Sequence, residues 1–544
     1  MNKLKLNILS LGLVSLGLAA CSESFLDVEP MTSVTTENFY KTTDDAERAL
    51  IGCYDGWQCT TSNGNLGIYV ASEIMSDECF GGTGNTDGKG YQAVDRFDIS
   101  ISSSDANLFN GVWADYYTGI FRCNTLLQKM DQIDWKGDSK AKSRVEGETR
   151  TLRAIMYFDL VRLFGHIPLL TEPTEDNIPQ SDPVEVYKLI AEDLKFAADS
   201  IPADAYPKAS SATNDGRITC YAAKALLARV YLFYTGYYGA SDLAGVVTQA
   251  QALQGLEDVI SSHEYDLVPD FKNLWPAASS TPIEGKYAFE STYAGDGNIE
   301  TVLAEKFNTT QDYNGNSDGN RWLAMMGMRN TNWSPYGKGW GACTVHPKVW
   351  SAFESGDTRK KASVIDLAGE GIESSFDIKD QREYTGYTVK KYTPMAYYDG
   401  TSASKEDGSG DFQIAQHQDF VVMRYADVLL MAAELGSASS QDYFDQVRGR
   451  AGLGSKAVTK GNIMQERFYE FAFEGQRYWD LLRQGIDVAA ATIAEEDGVT
   501  VTSGGNSDKV TILTDKVKAT KGLCQIPSTQ ITLSNNVLVQ NEGW

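Results

Sequence analysis

The chain has 544 residues, 42% of them hydrophobic and 22% charged, an ordinary globular composition at a length that allows more than one domain. Its 73 acidic residues outnumber the 48 basic ones, giving a formal charge of −25. That field repels nucleic acid and anionic head groups and leaves neutral, cationic or protein partners. The four histidines (His166, His263, His346, His417) lie far apart and outside any HExxH pattern, so no metal or cofactor is expected. Beyond Cys21, the cysteines (Cys53, Cys59, Cys79, Cys123, Cys220, Cys343, Cys524) are irregularly spaced with no CxxC pair. Cys123 and Cys220 fall within helical patterns as small core residues do, while a Cys53–Cys59 bridge is left open.

In chain order, the first element is an export signal. Lys3 and Lys5 precede an apolar run from Leu6 to Leu18 that is too short to cross a bilayer. Leu18-Ala19-Ala20-Cys21 resembles a bacterial lipobox, so residues 1–20 would be removed and Cys21 lipidated. Anchoring then needs several acyl chains, because each buried methylene gives only about 0.8 kcal/mol. The plainer alternative is a secretory signal that happens to end in Cys. No later segment reaches 18 consecutive apolar residues.

Helical periodicity follows. Leu152, Met156, Leu160 and Leu163 make one stripe, stopped by Gly165 and Pro168. Asp182-Pro183-Val184-Glu185 reads as an N-cap acid, a first-turn proline and an N3 glutamate. Behind it runs the stripe Tyr187, Ile190, Leu194, Ala197 and Ile201. Ala222, Ala223, Leu226, Leu227, Val230 and Tyr231 form a third, and Tyr425, Val428, Leu429 and Ala432 a fourth. The last runs through Met464, Phe468, Phe471, Gly475, Tyr478 and Leu482. Alanines such as Ala154, Ala222 and Ala426 permit close helix crossings, as in tetratricopeptide-type solenoids.

Between these helices, residues 55–111 and 286–415 are rich in Gly, Asn, Asp, Ser and aromatics. Asn63-Gly64, Thr86-Asp87-Gly88 and Asn314-Gly315 are turn signals, and Tyr384 to Tyr392 suggests a short strand. The expected fold is mostly α: a tetratricopeptide-like helical-pair scaffold with loop-rich insertions and a few short strands. Residues 21–544 form one domain, divided into an N-terminal helical part (21–285), a loop-rich insertion (286–415) and a C-terminal helical part (416–544). Binding surfaces usually lie in such elaborated loops. The acidic run Asp312 to Gly319 reads as a polar turn. As a calcium loop it has Ser317 where the glycine belongs and Leu323 where the closing glutamate belongs.

Several of these segments together resemble the SusD/RagB group of outer-membrane nutrient-uptake lipoproteins from Bacteroidota. They are CSESFLDVEP from Cys21, GETRTLRAIMYFDLVRLFGHIP from Gly147, GRITCYAAKALLARVYL from Gly216 and RYADVLLMAAE from Arg424. VRGRAGL from Val447, ERFYEFAFEGQRYWDLLRQG from Glu466 and QIPSTQITLSNNVLVQNEGW from Gln525 complete the set. The resemblance implies four tetratricopeptide-like helix pairs, surface exposure on the outer membrane through a lipid anchor, and non-catalytic capture of oligosaccharide. It further implies delivery to a SusC-like TonB-dependent transporter. Some members of the group handle peptides, which the acidic charge would favour for cationic ligands. A glycoside hydrolase is the enzymatic alternative and requires two carboxylates across a cleft. The charges Glu466, Arg467, Glu470, Glu474 and Arg477 alternate at helical spacing, which favours pairs along one helix over an active site.

A sugar site wants an exposed ring to stack on, flanked by polar groups. Two regions supply both, and by approximate position they resemble the stretches that build the ligand site in glycan-binding relatives. The first runs from Asp77 through a glycine-rich turn to Tyr91 and Arg96. The second contains Asn320, Trp322, Arg329, Asn330, Asn332, Trp333, Tyr336 and Trp340. A loop tryptophan can equally plug its own loop into the core, and an Asp or Arg can be tied up in a salt bridge.

Overall fold

The computed structural model describes residues 39–62, 67–105, 107–208, 216–312 and 318–544. The signal with Cys21, the turns Asn63-Gly64 and Asn314-Gly315, and most of the acidic run from Asp312 lie outside the described residues. The first helices are α1 (Thr43–Ser62), α2 (Ile68–Ile74), α3 (Asn110–Lys129), α4 (Ser139–Phe164), α5 (Pro183–Ser200), α6 (Cys220–Tyr238) and α7 (Gln249–Ser261). Spatial order follows chain order: α1 packs on α3, then α3 on α4, α4 on α5, α5 on α6 and α6 on α7. That nearest-neighbour stacking is how a solenoid builds a continuous core.

Local chemistry sets the helix ends. The Asp138 carboxylate accepts the Ala141 N–H at 2.9 Å to start α4, and Gly165 at φ 68° ends it. Asp182 caps α5 with Pro183 in the first turn, and Thr219 caps α6. The C-terminal half of α4 is buried on all sides, so its charged residues must be paired. Arg153 reaches Asp193 at 2.8 Å, and Arg162 reaches Asp159, which also accepts the Tyr116 hydroxyl. Helices α1 and α3 touch backbone to backbone: a Cβ on Gly56 would lie 2.8 Å from the Gly119 Cα.

After α7 the chain leaves the helical stack and returns to it much later. Between lie the short helix α8 (Arg321–Met326) and small strands, before α9 (Tyr425–Glu434), α10 (Ser440–Arg450), α11 (Lys460–Phe471) and α12 (Arg477–Leu482). Helix α9 packs on α7, and α10 and α11 pack on α9. The strands include β1 (Cys79–Gly81), β2 (Thr301–Glu305), β3 (Lys338–Gly339), β4 (Cys343–Val345), β5 (Val364–Asp366), β6 (Tyr387–Val389) and β7 (Phe420–Arg424). Four form an antiparallel sheet in the order β1-β4-β6-β5, with Cys79 opposite Val345 and Thr344 opposite Thr388. β2 pairs with β7. The sheet thus joins the glycine-rich segment near residue 80 to the insertion.

Two expectations change and one open question closes. Helix α1 continues to Ser62, past the point where loop was expected, because Leu50, Cys53 and Trp57 keep burying one face. Cys53 and Cys59 are unbridged. The stripe from Met464 to Leu482 is two helices, separated where Phe473 (φ 63°) and Gly475 (φ 71°) are left-handed. The N–H groups freed there are received by buried carboxylates from the first half of the chain. Glu78 accepts from Phe473 at 3.1 Å and Glu73 from Gly475 at 2.6 Å.

The charged face of that stripe is buried and pairs with other elements. Glu466 takes Arg359 and Arg448, each at 2.7 Å, while Glu470 binds Arg359 (3.0 Å), Arg424 (2.8 Å) and Arg450. Glu474 binds Arg424 and Lys391, and Arg424 also reaches Glu300. Arg467 joins Asp427 to Asp480. The expected structural role stands, but it is a cross-linking lattice rather than pairs along one helix.

Candidate functional site

The insertion presents a cleft of about 270 Å³ whose polar wall is formed by Asn332, Lys338, Thr401, Ser402 and Asp411, with Phe412 as its aromatic lining. One wall is a tight turn containing the cis Ser334–Pro335 bond, in which Trp333 and Tyr336 exchange backbone hydrogen bonds of 2.9 and 2.8 Å. That turn is held to the adjoining segment around Pro394 and Ala396. Gly337 N–H donates to Pro394 O, Ala396 N–H to Pro335 O, and the Ser334 hydroxyl to Ala396 O. The Asn332 side-chain oxygen accepts the Lys338 N–H at 2.8 Å. Trp333 stands out from this frame and is 37% exposed. Across the insertion Tyr398 is 52% exposed, and Tyr287, 51% exposed, packs on Tyr397.

The eight residues expected at the site divide sharply. Trp322 is 1% exposed, stacked between Tyr69 (centroids 5.1 Å apart) and Tyr392 (4.7 Å), with Phe420 alongside. It is an interior residue of α8 rather than an exposed stacking ring. Asn320 is buried as the cap of α8, accepting the Trp322 N–H at 3.0 Å and donating to Gln418 O at 2.8 Å. Asp77 is buried and held by Arg477 at 2.7 Å and Lys348 at 2.9 Å. Burial alone would raise its pKa, yet the two cations hold it well below the usual carboxylate range. Arg96 is paired to buried Glu383. Tyr91 is half-buried, and burial pushes its hydroxyl pKa up. These residues position the sheet and α8 but do not line the cleft.

Trp333, Tyr336 and Trp340 belong to the insertion's open side in differing degrees. Tyr336 is buried behind Trp333; its hydroxyl donates to Glu370 at 2.7 Å, and burial with that carboxylate raises its pKa. Trp340 is half-buried, with its Nε1–H donating to Gln413 Oε1 at 3.1 Å. The outer part of the glycine-rich segment does meet the second region. Arg329 joins Asp87 (3.2 Å) to Asp380 (3.1 Å), and Asp380 accepts Asn330 Nδ2 at 2.6 Å. A Cβ on Gly84 would lie 2.2 Å from the Arg329 guanidinium, which would have to shift to accommodate it.

Sequence reasoning missed Lys338, Tyr398, Thr401, Ser402, Asp411 and Phe412. The signal available was the run YYDGTSASKEDGSGDF from Tyr397, dense in turn residues and flanked by rings. Among the described residues no group of His, Cys, Asp and Glu side chains could hold a metal ion, and no helix is long and apolar enough to cross a membrane.

Two family models match the chain. One, described as the SusD family, covers residues 300–544; the other, described as starch-binding and associating with the outer membrane, covers residues 71–232. SusD-like protein P2 of Formosa agariphila is 26% identical over 509 residues, spanning 89% of this chain and 91% of its own. A SusD-like protein of Bacteroides ovatus is 24% identical, over 88% of this chain and 82% of that one. Among solved structures, a laminarin-binding SusD-like protein superposes with TM-score 0.71 at 27% identity, covering 93% of this chain and all of its own. The surface glycan-binding protein A of Bacteroides thetaiotaomicron, in complex with laminarihexaose, gives TM-score 0.73 at 22% identity over 93% of this chain and 100% of that one, which speaks to the fold. The two models cover both halves of the helical stack and the returning insertion, and the chain belongs to the SusD/RagB family.

Proposed function

We propose that this protein captures oligosaccharide in the cleft beside Trp333 and passes it, without covalent chemistry, to a TonB-dependent transporter in the outer membrane. The observation that carries the reading is an exposed indole, Trp333, adjacent in the chain to Asn332, which lines a cleft together with hydroxyl, ammonium and carboxylate groups. A sugar offers a C–H face to the ring and a rim of hydroxyls to the polar wall. The laminarin-binding relative supports the ligand class. Lipid attachment at Cys21 would tether the domain at the cell surface, consistent with a family described as associating with the outer membrane.

A capture role suits the lining chemistry better than hydrolysis does. Glycoside hydrolysis needs two carboxyl groups facing each other across the scissile bond. The cleft lining contributes Asp411, one of whose oxygens accepts the Gln413 N–H of its own turn at 2.9 Å. Calorimetry of wild type and Trp333→Ala against a glycan panel tests the reading. The substitution should abolish measurable binding with an unchanged melting temperature. Undiminished affinity in the variant removes the site, and turnover of a reducing-end-labelled glycan removes the non-catalytic account.

A further inference from the structure

Cations in this chain are mostly committed to carboxylates, as expected where acids are in large excess. Around the insertion Arg329 is held by Asp87 and Asp380, Lys390 by Glu370 and Lys306 by Asp419. Lys338 in the cleft lining and Arg321 at the start of α8 depart from this. Lys338 lies over the Phe412 ring, 4.7 Å from its centroid, and Arg321 lies over Trp340 at 5.9 Å. Neither has an ion pair among the described residues, and the Arg321 Nε–H is buried without an acceptor.

The two pairs are continuous. Lys338 opens β3 and Trp340 directly follows its end, two residues on, about 7 Å along extended chain. Trp340 bonds Gln413, the neighbour of Phe412, which closes the row on the other side. A cation over an aromatic face leaves its in-plane N–H groups unused. A guanidinium fork in that state matches a carboxylate or sulfate bidentately, and an ammonium adds a point charge.

We propose that Arg321 and Lys338 form an anion subsite, and that the preferred glycan carries an acidic substituent, a uronate carboxylate or a sulfate ester. This deepens the capture reading above and rests on it. The overall negative field does not oppose it at close range, because exposed charges are screened over about 8 Å at physiological ionic strength. Asp411 shares the cleft, one oxygen accepting the Gln413 N–H, and its single negative charge is outnumbered by the two cations.

The test is an array of neutral, uronate-bearing and sulfate-bearing oligosaccharides, laminarihexaose among the neutral members. Calorimetry on the strongest binder follows. An acidic glycan should bind tightest, and Lys338→Gln and Arg321→Gln should each weaken it about tenfold with unchanged melting temperature. Raising salt from about 20 to about 500 mM should weaken the same ligand in wild type, a readout independent of any substitution. The uronate and sulfate arms separate the two sources of the anion. A neutral glycan as tightest binder, or acidic binding indifferent to both substitutions and to salt, overturns the subsite while leaving glycan capture intact. Binding to no member of the array, or binding untouched by Trp333→Ala, instead brings down the capture reading and this inference with it.

Discussion

Around α11 and α12 every arginine is gripped by carboxylates, whereas Arg321 and Lys338 rest on rings with no ion pair among the described residues. The tryptophans divide in the same way: Trp322 is sandwiched in the core and Trp333, eleven residues on, stands in solvent. Residue type alone therefore says little about role here. The partner supplied by a distant part of the chain decides whether a charge or ring holds the fold or remains available.

Substitutions should register that division in order of size. Arg424→Met leaves Glu300, Glu470 and Glu474 short of a buried partner, and should cost about 3–5 kcal/mol in urea denaturation. A loss below about 1 kcal/mol would mean the lattice is dispensable. Trp322→Ala opens a cavity between Tyr69 and Tyr392 and should cost a similar or slightly smaller amount, about 3–4 kcal/mol. Both variants, where still folded, should keep their glycan affinity.

Next comes pH. Burial raises both Glu73, to about 8 from an ordinary 4.5, and its neighbour Glu78, which the Glu73 charge raises further. Glu383 is also raised, to about 7, by burial against the pull of Arg96. A carboxyl raised on folding contributes stability that is full below its unfolded pKa and lost as pH climbs through the folded value. Stability should therefore fall between about pH 4.5 and 8, by up to about 1.4 kcal/mol per pH unit for each proton released. Glu78→Gln should flatten part of that decline; an identical pH profile would place the titration elsewhere.

The smallest stability effects belong to the open side. Trp340→Phe keeps the ring under Arg321 but deletes the bond to Gln413, for about 1 kcal/mol by thermal melting. Trp333→Ala should stay within about 0.5 kcal/mol of wild type while binding disappears. Substantial destabilisation there would make Trp333 a structural plug after all.

The helical scaffold was readable because its signals are local. The Asp182-Pro183 start, the Leu152 stripe and the Gly165 stop each act within a few residues, and the structure bears them out. The break at Phe473 was hidden, because the carboxylates that receive its freed N–H groups, Glu73 and Glu78, come from some four hundred residues away. The same distance concealed the fate of Asp77, whose partner is Arg477. At the candidate site, aromatic density drew attention to 320–340 but could not separate a helical Trp322 from a turn-borne Trp333. Phe412 and Lys338 come together only through the return of the insertion toward β7.

Hydrogen bonds from Ser334, Gly337 and Ala396 fasten the turn at 333–337 to the segment 394–396, so these adjoining parts of the cleft are held in place by the fold itself. Little ordering entropy is then left to lose on association, and no hinge has to swing for departure. Residence time would be governed by the handful of groups touching the ligand, a property fitted to a carrier that must let go as readily as it takes hold.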